Sequence, residues 1–115
     1  MQPVTVPNRR SAKSAKANIL AAASTLFLQG GAAALSVRAI AAEAGISTIG
    51  IYSHFRGKQG ILDALYVEGF EMVIQSMTVD DKSLTPRATL MVAAAQYLDM
   101  AEDHAAHYRL IFGDR

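Results

Sequence analysis

The stretch that most constrains the 115-residue chain is Ser36 to Lys58, SVRAIAAEAGISTIGIYSHFRGK. Val37, Ile40, Ala41 and Ala44 recur at steps of three and four, so a helix here gathers them on one apolar face. Ser36 stands just ahead of that face, where its side chain can accept a hydrogen bond from a free first-turn amide. Gly45 ends the helix, because glycine enters the left-handed region without a steric penalty. Ile46 follows as a buried turn residue and Ser47 as a second N-cap. Ile51, Tyr52 and Phe55 supply the apolar side of the next helix. Ala41 is small where that second helix must cross. Ala41, Gly45 and Ile51 thus form the Ala-x-x-x-Gly-x-x-x-x-x-Ile skeleton of a helix-turn-helix, a motif that places its second helix in the DNA major groove.

The charge distribution adds to this. Residues 1–58 hold Arg9, Arg10, Lys13, Lys16, Arg38, Arg56 and Lys58 against Glu43 alone, a net of +6. Residues 59–115 hold four basic residues against nine acidic ones, a net of −5, so the overall +1 conceals two halves of opposite sign. A basic half carrying the motif, joined to an acidic half, suits a DNA reader attached to a second module.

The segment Ile19 to Leu65 resembles the DNA-binding domain of the TetR family of bacterial transcriptional regulators. The residues that carry the resemblance are Ile19, Ala23, Leu26, Phe27, Gly31, Ser36-Val37-Arg38, Ile40-Ala41, Ala44-Gly45-Ile46-Ser47, Ile51-Tyr52, His54-Phe55, Lys58 and Leu62. Beyond Lys58 it is looser, since that family's C-terminal domains diverge. His107 to Gly113 resembles a sequence that opens a later helix in one branch. The resemblance implies an all-α fold: a three-helix DNA-binding domain with a helix-turn-helix, then a partial helical effector and dimerisation domain. The expected division is a flexible basic arm over 1–14, the DNA-binding domain over 15–57, and the incomplete second domain over 58–115. The arm reads either as a solvated tail or, through Arg9, Arg10 and Lys13, as a basic segment that follows the DNA backbone or enters the minor groove.

Individual site residues follow. Thr48, Ile49, Tyr52, Ser53 and His54 line or flank the second helix of the motif, with Ser47 at its start. Hydroxyls and imidazole can reach base edges or phosphates, and Ile49 can meet a thymine methyl. Resemblance places DNA contacts at Thr48, Tyr52, His54 and Lys58, and at Arg38 in the first turn of the preceding helix. Tyr52 also reads as a packed ring, His54 as a surface or cap residue, and Arg38 and Lys58 as solvated charges. Two departures stand out. Gly50 replaces a residue that often touches DNA, and Arg56-Gly57 replaces the more usual proline or small polar pair. Resemblance further implies a homodimer on a double-stranded operator, repressing transcription until a small-molecule effector binds and shifts the fourth helix. The rival reading is a helical interaction module that keeps the motif for packing alone.

Along the chain, helices are expected over Ala15–Gln29, Val37–Ala44, Thr48–His54 and Lys58–Met77, then one after Thr85-Pro86, and one opening near His107. The fourth carries an inward stripe of Ile61, Leu62, Leu65, Tyr66, Gly69, Phe70, Val73, Ile74 and Met77; the fifth carries Leu90, Met91, Ala94, Ala95, Leu98 and Ala101. Both are broad for the residues available to cover them, so some apolar surface is expected to stay open and the chain reads as an incomplete regulator. Met72, Met77, Met91 and Met100 read as core filler, or as the lining of an adaptable pocket.

At 51% hydrophobic residues the chain has material for a core. Without cysteine it has no disulfide or thiolate chemistry. No run approaches the ~18 apolar residues of a membrane span, and the N-terminus lacks a signal-peptide core, so a cytoplasmic protein is expected. Gly57-Lys58 is not a phosphate loop, since Tyr52 and Gln59 occupy the positions that require glycine and a hydroxyl. No nucleophile, base and orienting acid recur together, and His104, His107 and Asp103 lack a third strong partner for a metal. Neither an enzyme nor a cofactor is expected.

Overall fold

A computed structural model of the chain describes residues 9–113, and side chains from Lys13 onward. Its regular structure among these residues is helical: α1 (Arg9–Gly30), a short 3-10 turn (Gly31–Ala34), α2 (Val37–Ala44), α3 (Thr48–His54), α4 (Lys58–Ser76), α5 (Pro86–Asp103) and α6 (Ala105–Phe112). The chain divides into two compact units, one ending at Leu62 and one beginning at Asp63, so the boundary falls inside α4.

In the first unit α1 packs on α2, on the 3-10 turn and on α3. Ile19, Ala23, Ile40, Ile51 and Ile61 are wholly buried, with Leu20, Ala22, Leu35 and Ala41 nearly so. Ala41 is 3% exposed, and its carbonyl accepts the Ile46 amide at 3.0 Å across the turn, so the close packing expected at this small residue is present. Leu35 was not anticipated as core. The Gly31–Ala34 turn lets the Leu35 amide bond the Ala32 carbonyl at 3.1 Å, and this fixes the leucine just before Ser36. Ile46, expected to be buried, is only half-buried.

α1 starts at Arg9, six residues earlier than the expected Ala15. Arginine, alanine and lysine after Pro7 are good helix formers, and nothing between Arg9 and Ala15 breaks the pattern. Residues 1–8 of the expected arm, and the side chains of Arg9 and Arg10, lie outside the described residues; Lys13 is exposed on α1. The segment Lys13–Ala34 is long and apolar enough, by length and composition alone, to cross a membrane, contrary to the expectation that no such run exists. Ile19, Leu20, Ala22 and Ala23 are nevertheless buried, as in the core helix of a small helical domain.

The second unit holds the rest of α4 with α5 and α6. Gly69 on α4 is buried against Ile111 and His107 of α6, and His107 Nε2 lies 2.9 Å from Glu68 Oε1. Gln96 Nε2 donates to the carbonyls of Ser76 and Thr78 at 2.9 and 3.0 Å, so α5 supplies partners for backbone groups at and just beyond the end of α4. α5 opens as expected, with Thr85 Oγ1 accepting from the Ala88 amide and Pro86 in its first turn. Ahead of it the Ser83 hydroxyl, and then the Ser83 amide, donate to Asp81 and hold its carboxyl below the usual range. Tyr97 and Tyr108 meet edge-on at 6.2 Å between centroids; the hydrogen bond between them, and then burial, raise the Tyr97 phenol above its ordinary value.

The expected stripes are only partly covered. On α4, Ile61, Leu65 and Gly69 are buried, but Tyr66, Phe70 and Ile74 are exposed, as is Met77 just past its end. On α5, Leu90, Met91 and Leu98 are two-thirds exposed or nearly so. The core-filler reading of methionine therefore holds for Met100 and fails for Met77 and Met91. The His104 and His107 rings lie 6.2 Å apart, and His107 is turned to Glu68.

Two glycine substitutions should move stability in opposite directions. Gly45 sits at φ 73°, so Gly45→Ala should cost about 1–2 kcal/mol from backbone strain alone. Gly60 lies in α4, where an added Cβ meets only ordinary contacts with Phe55 at 3.6 Å, so Gly60→Ala should stabilise by about 0.5–1 kcal/mol. Chemical denaturation of the two variants checks both signs.

Candidate nucleic-acid interface

Two capped helices and a glycine turn build the site. Ser36 is extended at φ −138° and accepts the Ala39 amide at 3.0 Å, which starts α2. Gly45 at φ 73° and ψ 31° stops it, with its amide on Ala42 O at 3.3 Å. Ser47 then accepts the Gly50 amide at 3.1 Å and starts α3 two residues later. A clamp from α1 secures the turn: Asn18 Nδ2 donates to Ala44 O at 3.1 Å, satisfying a carbonyl left free at the end of α2.

Each residue of α3 advances the helix by about 100°. Thr48, Ile49, Tyr52 and Ser53 therefore share one arc, and all four are exposed. Ile51 lies on the far side and is wholly buried, which holds the arc outward. Ile49 is 79% exposed and Tyr52 59%. Ser53 lends its hydroxyl to the Gly50 carbonyl at 2.8 Å. His54 lies off this arc, half-buried in the last turn, where an imidazole faces the negative end of the helix.

The two departures acquire packing reasons. A Cβ at Gly50 would meet Ile46 Cδ1 at 3.3 Å and Ser47 Oγ at 3.6 Å, so position 50 faces the turn. Gly57 is buried at φ 124°, and a Cβ there would meet Tyr52 Cε1 at 3.4 Å. The Tyr52 ring thus rests an edge on the Gly57 backbone while most of it stays exposed, so packed ring and outward tyrosine are the same arrangement. Arg38 in the first turn of α2 and Arg56 after α3 are exposed. Lys58, also exposed, reaches Ala32 O with Nζ at 3.4 Å, so it bridges α4 to the 3-10 turn.

Residues 19–65 match the family described as bacterial regulatory proteins, tetR family. The chain carries a TetR-family domain. The segment begins in mid-α1 and ends in α4, so it contains the whole two-helix unit with part of each flanking helix. Among solved structures, the candidate regulatory protein SCO4313 is 26% identical over 96% of this chain and 53% of its own, with a TM-score of 0.75. A candidate transcription regulator from Lactobacillus plantarum is 18% identical over 85% of this chain and 56% of its own, with a TM-score of 0.62, and shares the fold. The chain spans about half the length of either. No curated protein matches it in sequence. Asn18, just ahead of the matched segment, and Lys58, inside it, make bracing contacts that no local pattern signals, because each partner is 26 residues away.

Stability should separate the two faces of this domain. Ser36→Ala and Ser47→Ala each remove an N-cap and should cost about 1 kcal/mol. Thr48→Ala and Ile49→Ala alter exposed side chains and should stay within about 0.5 kcal/mol. Thermal and chemical unfolding of the four variants provides the check.

Proposed function

We propose that the chain is a sequence-specific DNA-binding transcription regulator: a repressor that acts as a homodimer on a double-stranded operator and is released by a small molecule. The observation that carries the DNA reading is the exposed arc of Thr48, Ile49, Tyr52 and Ser53 on α3, held outward by buried Ile51. Exposed Arg38, Arg56 and Lys58 in the adjoining segments supply charge for phosphates, and the family match agrees with this role. On this reading Ser47 and Ser53 support the helix while Thr48, Ile49 and Tyr52 meet the groove. His54, Lys58 and Arg38 lie toward the backbone, with Arg9, Arg10 and Lys13 along it.

Release by a ligand rests on the family resemblance and on one feature of the second unit. An open groove there is lined by Met72, Gln75, Gln96, Asp99, Met100 and His104 among others, a mixed polar and apolar surface that a small molecule could meet. A compound that protects these residues from hydrogen exchange should also weaken DNA binding. Occupancy without any change in DNA affinity would refute release by this route.

The DNA reading is tested by a salt titration on random duplex. If each chain neutralises about four phosphates, log affinity should fall with log salt at a slope of roughly −3.6. Lys58→Ala should weaken binding to all sequences alike and flatten the slope by about one, whereas Thr48→Ala should relax preference at one or two base pairs. A slope near zero would instead favour the helical interaction module.

A further inference from the structure

Ile49 is the most exposed of the large apolar side chains among the described residues, at 79%, and it stands on the arc that also carries Thr48, Tyr52 and Ser53. Tyr52 stands one turn along the same arc, yet 79% of Ile49 stays open to solvent, so packing within the helix does not account for its placement. Gly50 has no side chain, the Ser53 hydroxyl is engaged with Gly50 O, and Ser47 Oγ is engaged with the Gly50 amide. An isoleucine can neither donate nor accept a hydrogen bond. The major-groove edges of the bases offer donors, acceptors and one apolar group, the 5-methyl of a pyrimidine. Set against a donor or an acceptor, Ile49 would strip water from it and return nothing. Set against a methyl, it buries apolar surface on both partners. β-Branching also leaves the side chain essentially one χ1 rotamer in a helix, so its methyl groups are held in place before contact.

We infer that Ile49 reads a pyrimidine 5-methyl group, in ordinary DNA that of thymine, at one base pair of the bound site. The inference rests on the DNA-binding reading and adds to it the chemistry of one recognised position. A contact to a phosphate or to deoxyribose would be indifferent to that methyl, so the two cases differ in a measurable way.

The test first selects duplexes from a random library with the 115-residue chain. Each thymine of the enriched site is then replaced in turn by uracil, which pairs alike and lacks only the methyl. At one position the exchange should weaken binding by about fourfold, the loss expected for one buried methyl. Ile49→Ala should bind the thymine and uracil duplexes equally at that position and keep the parent's dependence at every other. Ile49→Val should retain part of the discrimination, which separates a lost contact from a disturbed helix. Comparing cytosine with 5-methylcytosine at the same position identifies the source of the methyl. Preference for the methylated base there as well extends the reading to methylated cytosine, and preference in the thymine pair alone confines it to thymine. Thymine-to-uracil losses that are absent everywhere, or equal in the parent and in Ile49→Ala, would overturn the inference while leaving DNA binding intact. Failure to enrich any sequence would overturn the DNA-binding reading, and this inference with it.

Discussion

Everything in the first unit depends on how the chain turns at Gly45. A left-handed residue at that point, φ 73°, ends α2 and aims the Ile46 amide back at the Ala41 carbonyl. Ala41 at 3% exposure then leaves room for the next helix, and Ile40 and Ile51 close the interior beneath it. Any other residue at 45 would carry strain, and a larger side chain at 41 would push into packed neighbours. Ser36 and Ser47 set where α2 and α3 begin, so both helices start at defined hydrogen bonds as well as on packed faces. The α1 clamp from Asn18 to Ala44 ties the turn to the longest helix of the unit, so α3 projects from a braced support.

That support explains why so short a helix can present side chains at all. Seven residues cannot hold a helix in water by local propensity. Only Ile51 of α3 is wholly buried, and the Ser47 cap and the Phe55 amide on Ile51 O at 2.8 Å fix its two ends. The energy that orders α3 comes from one face and its termini. Its other face stays free of structural duty, and Thr48 and Ile49 are on that face. Tyr52 is the exception, because its ring edge also rests on Gly57.

This division accounts for what was legible in the sequence. α2 and α3 carry local signals, two caps and a stop glycine, and their limits were read correctly at Val37–Ala44 and Thr48–His54. Helical character was equally clear elsewhere, since apolar residues at steps of three and four leave little room for strands. The start of α1 was misplaced because no breaker stands between Pro7 and Ala15, so its beginning depends on propensity alone. Contacts between distant segments were invisible: Asn18 to Ala44, Lys58 to Ala32, and Glu68 to His107 join residues 26 to 39 apart. Gly50 reads in the sequence as a lost contact, and Gly57 as half of a replaced pair. At Gly50 a Cβ would press on Ile46, and Gly57 sits at φ 124°, where an L side chain is strained; neither fact can be read from spacing.

Exposure of apolar residues has two different physical causes in this chain. In the second unit Phe70, Ile74, Leu90 and Leu98 are uncovered because three helical segments can shield only some of the apolar positions they carry. There α4 buries Leu65 and Gly69, and α6 comes close enough to Gly69 that even a Cβ would collide with Ile111. Coverage on that side is tight where it exists and stops abruptly beyond it. Ile49 and Tyr52 are exposed for the opposite reason. Their helix already has its buried partner in Ile51, and turning the arc inward would expose that residue and break both caps. Hydrophobic burial therefore keeps these two side chains out in solvent. A surface held there by the core behind it is preorganised, and a ligand that meets it has little ordering cost to offset.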